Sequence, residues 1–174
     1  MSKPTIVFLD YDGVIIDAGS RIVEGSRQGI NRTSLKLIEH LQRQFDFLVV
    51  CSSRVHAKRT WEEQWKPLAK YDSTLKFYQD DAHPMSWRTA PSRSTCKKSG
   101  DATHESRGWY VHDWLLQHGY NPETDPYIVI DDDSDYYPIC ASRFVHVPNG
   151  EHLGGFGFKH YLDTHAKLKG IQNE

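Results

Sequence analysis

The amino-acid sequence predicts a doubly wound α/β domain, in which a parallel β-sheet has helices on both faces. Three short apolar runs rich in β-branched and aromatic residues are typical of strands that are buried on both sides. Segments with helical periodicity separate these runs, and this alternation of strands and helices indicates a parallel sheet. The 174 residues favour one domain over residues 1–174, with little room for a second.

The three central strands are predicted at residues 5–9, 45–51 and 127–130. None of them alternates cleanly between apolar and polar residues, as expected where helices cover both faces of the sheet. Two weaker runs, at residues 75–78 and 143–147, are interpreted as further or edge strands.

Helical patterns fall between the strands. Asn31 is a suitable N-cap for a helix in which Leu35, Ile38 and Leu41 recur at three- and four-residue spacing. This helical period extends to Phe45, which also opens the second apolar run. Similar spacing predicts three further helices, at residues 61–71, 107–118 and 158–168.

Composition excludes several classes of protein. The formal charge is only -2, which argues against general electrostatic binding to nucleic acid or to a membrane surface. A mean hydropathy of -0.65 and the lack of a long apolar run argue against a membrane span. Three cysteines without a C-x-x-C pair favour a reducing, cytoplasmic setting, and the first apolar run is too short for a signal peptide. None of the ten histidines forms a pair with metal-binding spacing on a predicted helix.

Polar residues follow each central strand. Asp10 and Asp12 follow the first, residues 52–54 (Ser-Ser-Arg) follow the second, and the acidic run 131–135 follows the third. Because ligands of open parallel sheets bind beyond the carboxyl ends of the strands, these clusters are expected to face one crevice. Each cluster alone could serve as a turn or a helix cap. Together the carboxylates would repel one another unless a cation lay between them, and their oxygen atoms favour Mg²⁺.

Three of these segments resemble motifs of the haloacid dehalogenase-like (HAD) phosphatases. FLDYDGV at residues 8–14 resembles the first motif, D-x-D-G-[VT]. Residues 49–52 are similar to the second motif and residues 128–132 to the fourth, in the order that the family has. The chain looks most like the small HAD domains of phage and RNA-repair proteins, which share Arg-Gly (here Arg107 and Gly108) before a helix that ends in Trp-Leu. The resemblance implies a Rossmann-like sheet.

The resemblance also implies roles for individual residues. Asp10 would be the nucleophile that forms an aspartyl-phosphate, and Asp12 the general acid and then the general base. Ser52, with Ser53 as the alternative, would hold a phosphate oxygen. The third motif needs a basic residue ahead of the last central strand, and Arg107 fits it best.

The metal ligands implied by the resemblance are Asp10, Asp12 and the acidic run of the fourth motif. Two registers of that run stay open. In one, Asp131 takes the place often held by Gly and Asp132 binds Mg²⁺. In the other, Asp131 binds Mg²⁺ and Asp135 supplies a second carboxylate. We prefer Asp132 as the ligand, closely followed by Asp131, with Asp135 as support.

The segments between the motifs bear on the substrate. Residues 14–30 leave room for a short β-hairpin flap and for no large cap domain. A polar insertion at about residues 80–106 is rich in basic side chains, and its aromatic residues suit stacking on bases, although Trp87 could pack on the body of the domain instead. We expect an open site that takes a large substrate or is covered by a protein partner. The candidate substrate-binding residues are Ser53, Arg54, Arg88, Lys97 and Lys98, where Lys97 and Lys98 are also the alternatives to Arg107.

These observations predict a Mg²⁺-dependent phosphomonoester hydrolase that works through an aspartyl-phosphate. Its expected substrates are nucleotides or nucleic-acid terminal phosphates. The alternative is a non-catalytic phosphate- or metal-binding module on the same fold. A response-regulator receiver is disfavoured, since its phosphoacceptor Asp would be expected where this chain has Ser52.

Overall fold

The computed structural model describes residues 3–25, 29–53, 59–90, 107–134, 140–148 and 150–172. Its four strands form one sheet that is parallel throughout, in the order β2-β1-β3-β4. This confirms the predicted α/β fold with a doubly wound parallel sheet. The strands are β1 (Ile6–Leu9), β2 (Leu48–Cys51), β3 (Tyr127–Asp131) and β4 (Phe144–His146).

The register of the sheet brings the ends of the three central strands level. Leu9, the last residue of β1, pairs with Cys51 of β2 and Ile130 of β3. The amide of Ser52 donates to the carbonyl of Leu9 at 3.0 Å, and the amide of Asp10 donates to the carbonyl of Ile130 at 3.0 Å. The polar residues that follow the strands therefore start at one edge of the sheet.

Helices cover both faces of the sheet, as the buried runs predict. The helices are α1 (Ala18–Glu24), α2 (Arg32–Phe45), α3 (Trp61–Ala69), α4 (Arg107–Gln117), a 3-10 turn (Ala141–Arg143), α5 (Gly150–Leu153) and α6 (Phe158–Gln172). On one face of the sheet, Val7 and Leu9 pack with residues of α2, α3 and α6. On the other face, Phe8 packs edge-on against Trp114 of α4, with ring centroids 5.3 Å apart.

Two of the predicted strands differ in the structure, one in where it begins and the other in its extent. Phe45 is the last residue of α2, and Asp46, in the left-handed region with φ 48°, ends that helix before β2 begins. The helical period thus prevails over the apolar run at this position. Residues 75–78 form a single parallel bridge, between Phe77 and Val49, instead of a full edge strand.

The β-hairpin flap expected at residues 14–30 is wrong, because residues 18–24 form helix α1 and residues 14–25 and 29–30 contain no strand. Local hydrogen bonds explain the helix. The side chain of Asp17 accepts from the amide of Ser20, whose hydroxyl accepts from the amide of Asp17, so the two residues form a capping box. Gly25, at φ 58°, ends the helix. No large cap domain is present in the part of the chain that the structure describes.

The polar insertion is described only to residue 90. Up to that point it consists of turns and isolated bridges, and Trp87 within it is 2% exposed. The ring centroids of Trp87 and Trp61 are 5.5 Å apart, so Trp87 packs on the body of the domain. The single domain over residues 1–174 stays a prediction. Among the described residues, no helix has both the length and the apolar character needed to cross a membrane.

Candidate active site

Asp10 lies directly beyond β1 and is almost completely buried, with 3% of its surface exposed. Its Oδ1 atom has no hydrogen-bond partner among the described residues. Burial, followed by the nearby charge of Asp131, raises the pKa of Asp10 well above its usual value. A buried carboxylate oxygen without a partner indicates that the site is built to receive another group.

Arg107 is the one buried cation beside these acids in the described part of the chain. It is the first residue of α4, its Nη2 donates to Oδ2 of Asp131, and the same atom lies 3.8 Å from Oδ2 of Asp10. Burial raises the pKa of Asp131, and the charge of Arg107 opposes that rise. The structure thus places Arg107 beside both Asp10 and Asp131.

The loop after β1 passes very close to the residue that follows β3. Gly13 has φ 79°, and a Cβ atom on it would lie 2.0 Å from Oδ2 of Asp132. Only glycine combines this left-handed backbone with so close an approach. The carbonyl of Asp132 is hydrogen-bonded at 3.1 Å to Nε2 of His146. The first and fourth motifs are therefore in direct contact.

Asp131 and Asp132 differ in their burial and in their position relative to the end of β3. Both oxygens of Asp131 accept hydrogen bonds from the protein, Oδ2 from Arg107 and Oδ1 from the amide of Asp133 at 2.8 Å. Asp131 is fully buried within β3, whereas Asp132 is only partly buried beyond the strand end. This arrangement favours the register in which Asp132 faces a ligand and Asp131 orients Arg107.

Asp12 forms an ion pair with a residue of helix α1. Nη2 of Arg21, in α1, lies 2.6 Å from Oδ1 of Asp12, and both side chains are about one third exposed. Sequence reasoning missed Arg21 because it placed a hairpin there. The signal that could have revealed the helix is the Asp17-x-x-Ser20 capping pattern.

Ser52 lies beyond β2 with 6% of its surface exposed, and its Oγ has no hydrogen-bond partner among the described residues. Its neighbour Ser53 is more deeply buried, at 1%. Arg88 forms a bridge with Cys51 one residue before Ser52, and its guanidinium lies over the ring of Trp87 at 5.4 Å. The structure thus places Ser52 and Arg88 beside the same strand end.

Four candidate residues lie outside the described residues: Arg54, Lys97, Lys98 and Asp135.

A comparison with protein families adds an independent observation. Residues 6–151 match the family described as the HAD domain in Swiss Army Knife RNA repair proteins. The chain belongs to this family. The comparisons with curated proteins and with solved structures gave no match. Membership confirms the resemblance to HAD domains of RNA-repair proteins and supports a HAD-type phosphatase.

The residues of this HAD domain fit a divalent metal ion, which the family typically uses. Asp10, Asp131 and Asp132 each offer an oxygen atom, and these atoms lie within 4.8 Å of one another. Three carboxylates against the single guanidinium of Arg107 leave a local excess of two negative charges, which one divalent cation would neutralise. An all-oxygen donor set suits Mg²⁺ better than Zn²⁺.

Proposed function

We propose that this HAD domain is a Mg²⁺-dependent phosphomonoester hydrolase with Asp10 as its nucleophile. The observation that supports this most directly is the buried, unpartnered Oδ1 of Asp10 at the end of a central strand. A structural aspartate at that depth would be expected to use both oxygens in hydrogen bonds. A nucleophilic one needs a free oxygen lone pair to attack phosphorus.

The reaction divides into two transfers. First, a carboxylate oxygen of Asp10 forms a bond to phosphorus while the bond to the ester oxygen breaks, and Asp12 gives its proton to that leaving oxygen. A water molecule then attacks phosphorus, Asp12 takes a proton from it, and the bond between Asp10 and phosphorus breaks. The products are inorganic phosphate and an alcohol, and both carboxyl groups return to their starting state.

Other side chains position the phosphate. The Oγ of Ser52 is a buried donor that no described residue uses, so it is available to a phosphate oxygen at no cost to the fold. Arg107 lies 3.8 Å from Asp10 and offsets part of the negative charge that gathers when a phosphate approaches. Preorganised donors of this kind supply much of the catalysis in phosphoryl transfer.

Asp10 and Asp132 are the main proposed Mg²⁺ ligands, and Asp12 would contribute its backbone carbonyl. Asp131 is the second choice after Asp132, and Asp135 would support the site. When bound, the ion supplies positive charge that neutralises the phosphate oxygens during transfer. Asp131 holds Arg107 in place through its own hydrogen bond. We therefore assign the metal-binding role of the fourth motif to Asp132 in preference to Asp131.

The proposed substrate is a nucleotide or a nucleic-acid terminal phosphate. The description of the family as a domain of RNA repair proteins supports it. The basic residues Arg54, Arg88, Lys97 and Lys98, with Ser53, are the proposed substrate contacts. A protein partner is a proposed cover for the site.

Phosphate release from a generic aryl phosphate tests the enzymatic proposal. We expect turnover with Mg²⁺, none with a chelator, and none in Asp10→Asn, whose amide is a poor nucleophile of nearly equal size. Asp113→Asn, at an exposed position of α4, is the matched control and should retain full activity. Activity that survives Asp10→Asn, or no turnover of any phosphomonoester with Mg²⁺, would overturn the proposal.

A second assay identifies the substrate class. Mononucleotides are compared with 3′- and 5′-phosphorylated oligonucleotides over a series of salt concentrations. If the substrate is a nucleic-acid end, kcat/KM should rise with oligonucleotide length and fall steeply as the salt concentration increases. Contacts to the polymer backbone release counterions, and this release becomes less favourable at high salt. Responses that stay flat in both respects would assign a small substrate instead.

A further inference from the structure

A second cluster of ligand-type side chains lies outside the phosphatase site. Asp80, His83 and His118 each offer one ligand atom, and these atoms lie within 4.8 Å of one another. His118 directly follows α4, and Arg107 is the first residue of that helix. At the rise of an α-helix, the two ends of α4 are roughly 16 Å apart, so this cluster is separate from Asp10.

The hydrogen bonding of His118 fixes which of its nitrogens is free. Nδ1 lies 2.8 Å from the carbonyl oxygen of Trp114, which can only accept, so Nδ1 carries the proton. The other ring nitrogen, Nε2, is buried and has no hydrogen-bond partner among the described residues. The ring also stacks on Trp114, with centroids 4.1 Å apart. A neutral imidazole oriented by a carbonyl on its other nitrogen is the usual form of a metal-binding histidine.

Asp80 and His83 are held by one tight turn. The amide of His83 donates to the carbonyl of Asp80 at 2.9 Å, and the amide of Ala82 donates to Oδ1 of Asp80 at 2.9 Å. Oδ2 of Asp80 lies 3.0 Å from Nδ1 of His83. The turn therefore presents an anionic oxygen and an imidazole side by side.

We propose that Asp80, His83 and His118 form a second metal site, for Zn²⁺ or another borderline transition-metal ion. Two imidazoles and one carboxylate are a donor set that Zn²⁺ prefers and Mg²⁺ does not. Three protein ligands leave the fourth tetrahedral position to water or to a ligand. His83 and His118 line a cavity of about 660 Å³, which gives that position access from outside.

Binding at this site ties the start of the polar insertion to the end of α4. Nε1 of Trp114 already donates to the carbonyl of Ser86 at 2.9 Å, so the two segments are in contact without an ion. The ion would add a second, stronger link between them and should raise the melting temperature. This inference is independent of the proposed phosphatase activity.

Titration of the metal-free full chain with Zn²⁺, in excess Mg²⁺ to occupy the phosphatase site, tests the proposal. We expect stoichiometric Zn²⁺ binding by calorimetry and a rise in melting temperature. His83→Gln and His118→Gln should each weaken Zn²⁺ binding by at least about tenfold. Losing a residue that only supports a metal ligand already costs about that much affinity, so losing a direct ligand should cost no less. His112→Gln, on α4 but outside the cluster, is the matched control and should bind as the wild type does.

His83 is exposed, with 56% of its side chain accessible, so His83→Gln is expected to fold even if the more buried His118→Gln does not. Substituting Co²⁺ gives a second readout, since its visible spectrum distinguishes a tetrahedral nitrogen and oxygen site from an octahedral one. No Zn²⁺ binding at micromolar concentration, or equal binding by the wild type and His83→Gln, would overturn the site. Either result would leave the phosphatase assay unaffected.

Discussion

Nη2 of Arg21 lies 2.6 Å from Oδ1 of Asp12, and this ion pair joins helix α1 to the proposed general acid and base. Arg21→Ala should lower kcat about tenfold, because a loosened Asp12 side chain, whose protonated oxygen must reach the leaving group, spends less time aligned with it. KM should change little, since the pair orients Asp12 and need not touch the substrate. Steady-state kinetics on an aryl phosphate measures both constants.

Two further variants separate this positioning role from a general loss of charge. Arg21→Lys should recover part of the lost kcat, because an ammonium group keeps the charge without the planar geometry. Arg32→Ala removes a cation that lies over Tyr71, at 5.1 Å from the ring, and should leave kcat unchanged. A rise in KM with unchanged kcat for Arg21→Ala would mean that Arg21 binds the substrate directly.

The second prediction concerns the contact between Gly13 and Asp132. Gly13→Ala should abolish activity, because the new Cβ would lie 2.0 Å from the carboxylate of Asp132 and would displace it. Gly119→Ala is the matched control: Gly119 has a similar φ of 74°, but a Cβ there would meet nothing within 4 Å. It should lower stability by about 1 kcal/mol and retain activity. Full activity in Gly13→Ala would show that the approach of these two loops is not needed for turnover.

The third prediction uses the unpartnered hydroxyl of Ser52. Ser52→Ala should leave stability unchanged or slightly raised, because it removes a buried polar atom that no described residue satisfies. Its kcat/KM should fall about 100-fold if this hydroxyl binds a phosphate oxygen in the transition state. Ser34→Ala removes another buried hydroxyl without a described partner, in α2, and should affect neither quantity. Thermal melts and steady-state kinetics on the same samples measure both quantities. An unchanged kcat/KM in Ser52→Ala would show that this hydroxyl does not bind the phosphate.

The grouping of polar residues at the carboxyl ends of the central strands was predictable from the sequence, because it depends on local features of the chain. Each apolar run specifies a strand, and the next residue along the chain must lie at the carboxyl end of that strand. Asp10 and Ser52 directly follow β1 and β2, and Asp131 is the last residue of β3, so parallel pairing alone brings them together. Their grouping needs no knowledge of side-chain packing.

The contacts that were missed depend on tertiary packing. Arg21 meets Asp12 only because a capping box turns residues 18–24 into a helix. His83 and His118 meet because α4 packs against the turn that contains Asp80, and no spacing along the chain encodes that. The sequence alone does not decide whether Trp87 stacks on bases or packs on the domain, since composition cannot show which face of a loop is covered.

The fourth prediction concerns the buried thiols. Cys51 and Cys140 are at most 1% exposed; burial raises the pKa of both thiols, that of Cys140 to about 11. At pH 8 very little thiolate is present, so an aromatic disulfide reagent should not label either residue in the folded protein. In a Cys96→Ser background, both should react after denaturation. Rapid labelling of the native protein would show that this part of the core opens.

The last prediction separates the two acids of the fourth motif through stability alone. Mg²⁺ at 100 times its Kd should stabilise the wild type by about 2.7 kcal/mol, because the ion binds only the folded state. Asp132→Asn should lose this effect while its metal-free melting temperature stays equal or rises, since a repulsive charge is gone. Asp131→Asn should instead lower the metal-free stability by about 3 kcal/mol, because it breaks the buried ion pair with Arg107. Undiminished stabilisation of Asp132→Asn by Mg²⁺ would assign the metal to Asp131, and melting curves with and without a chelator distinguish the two outcomes.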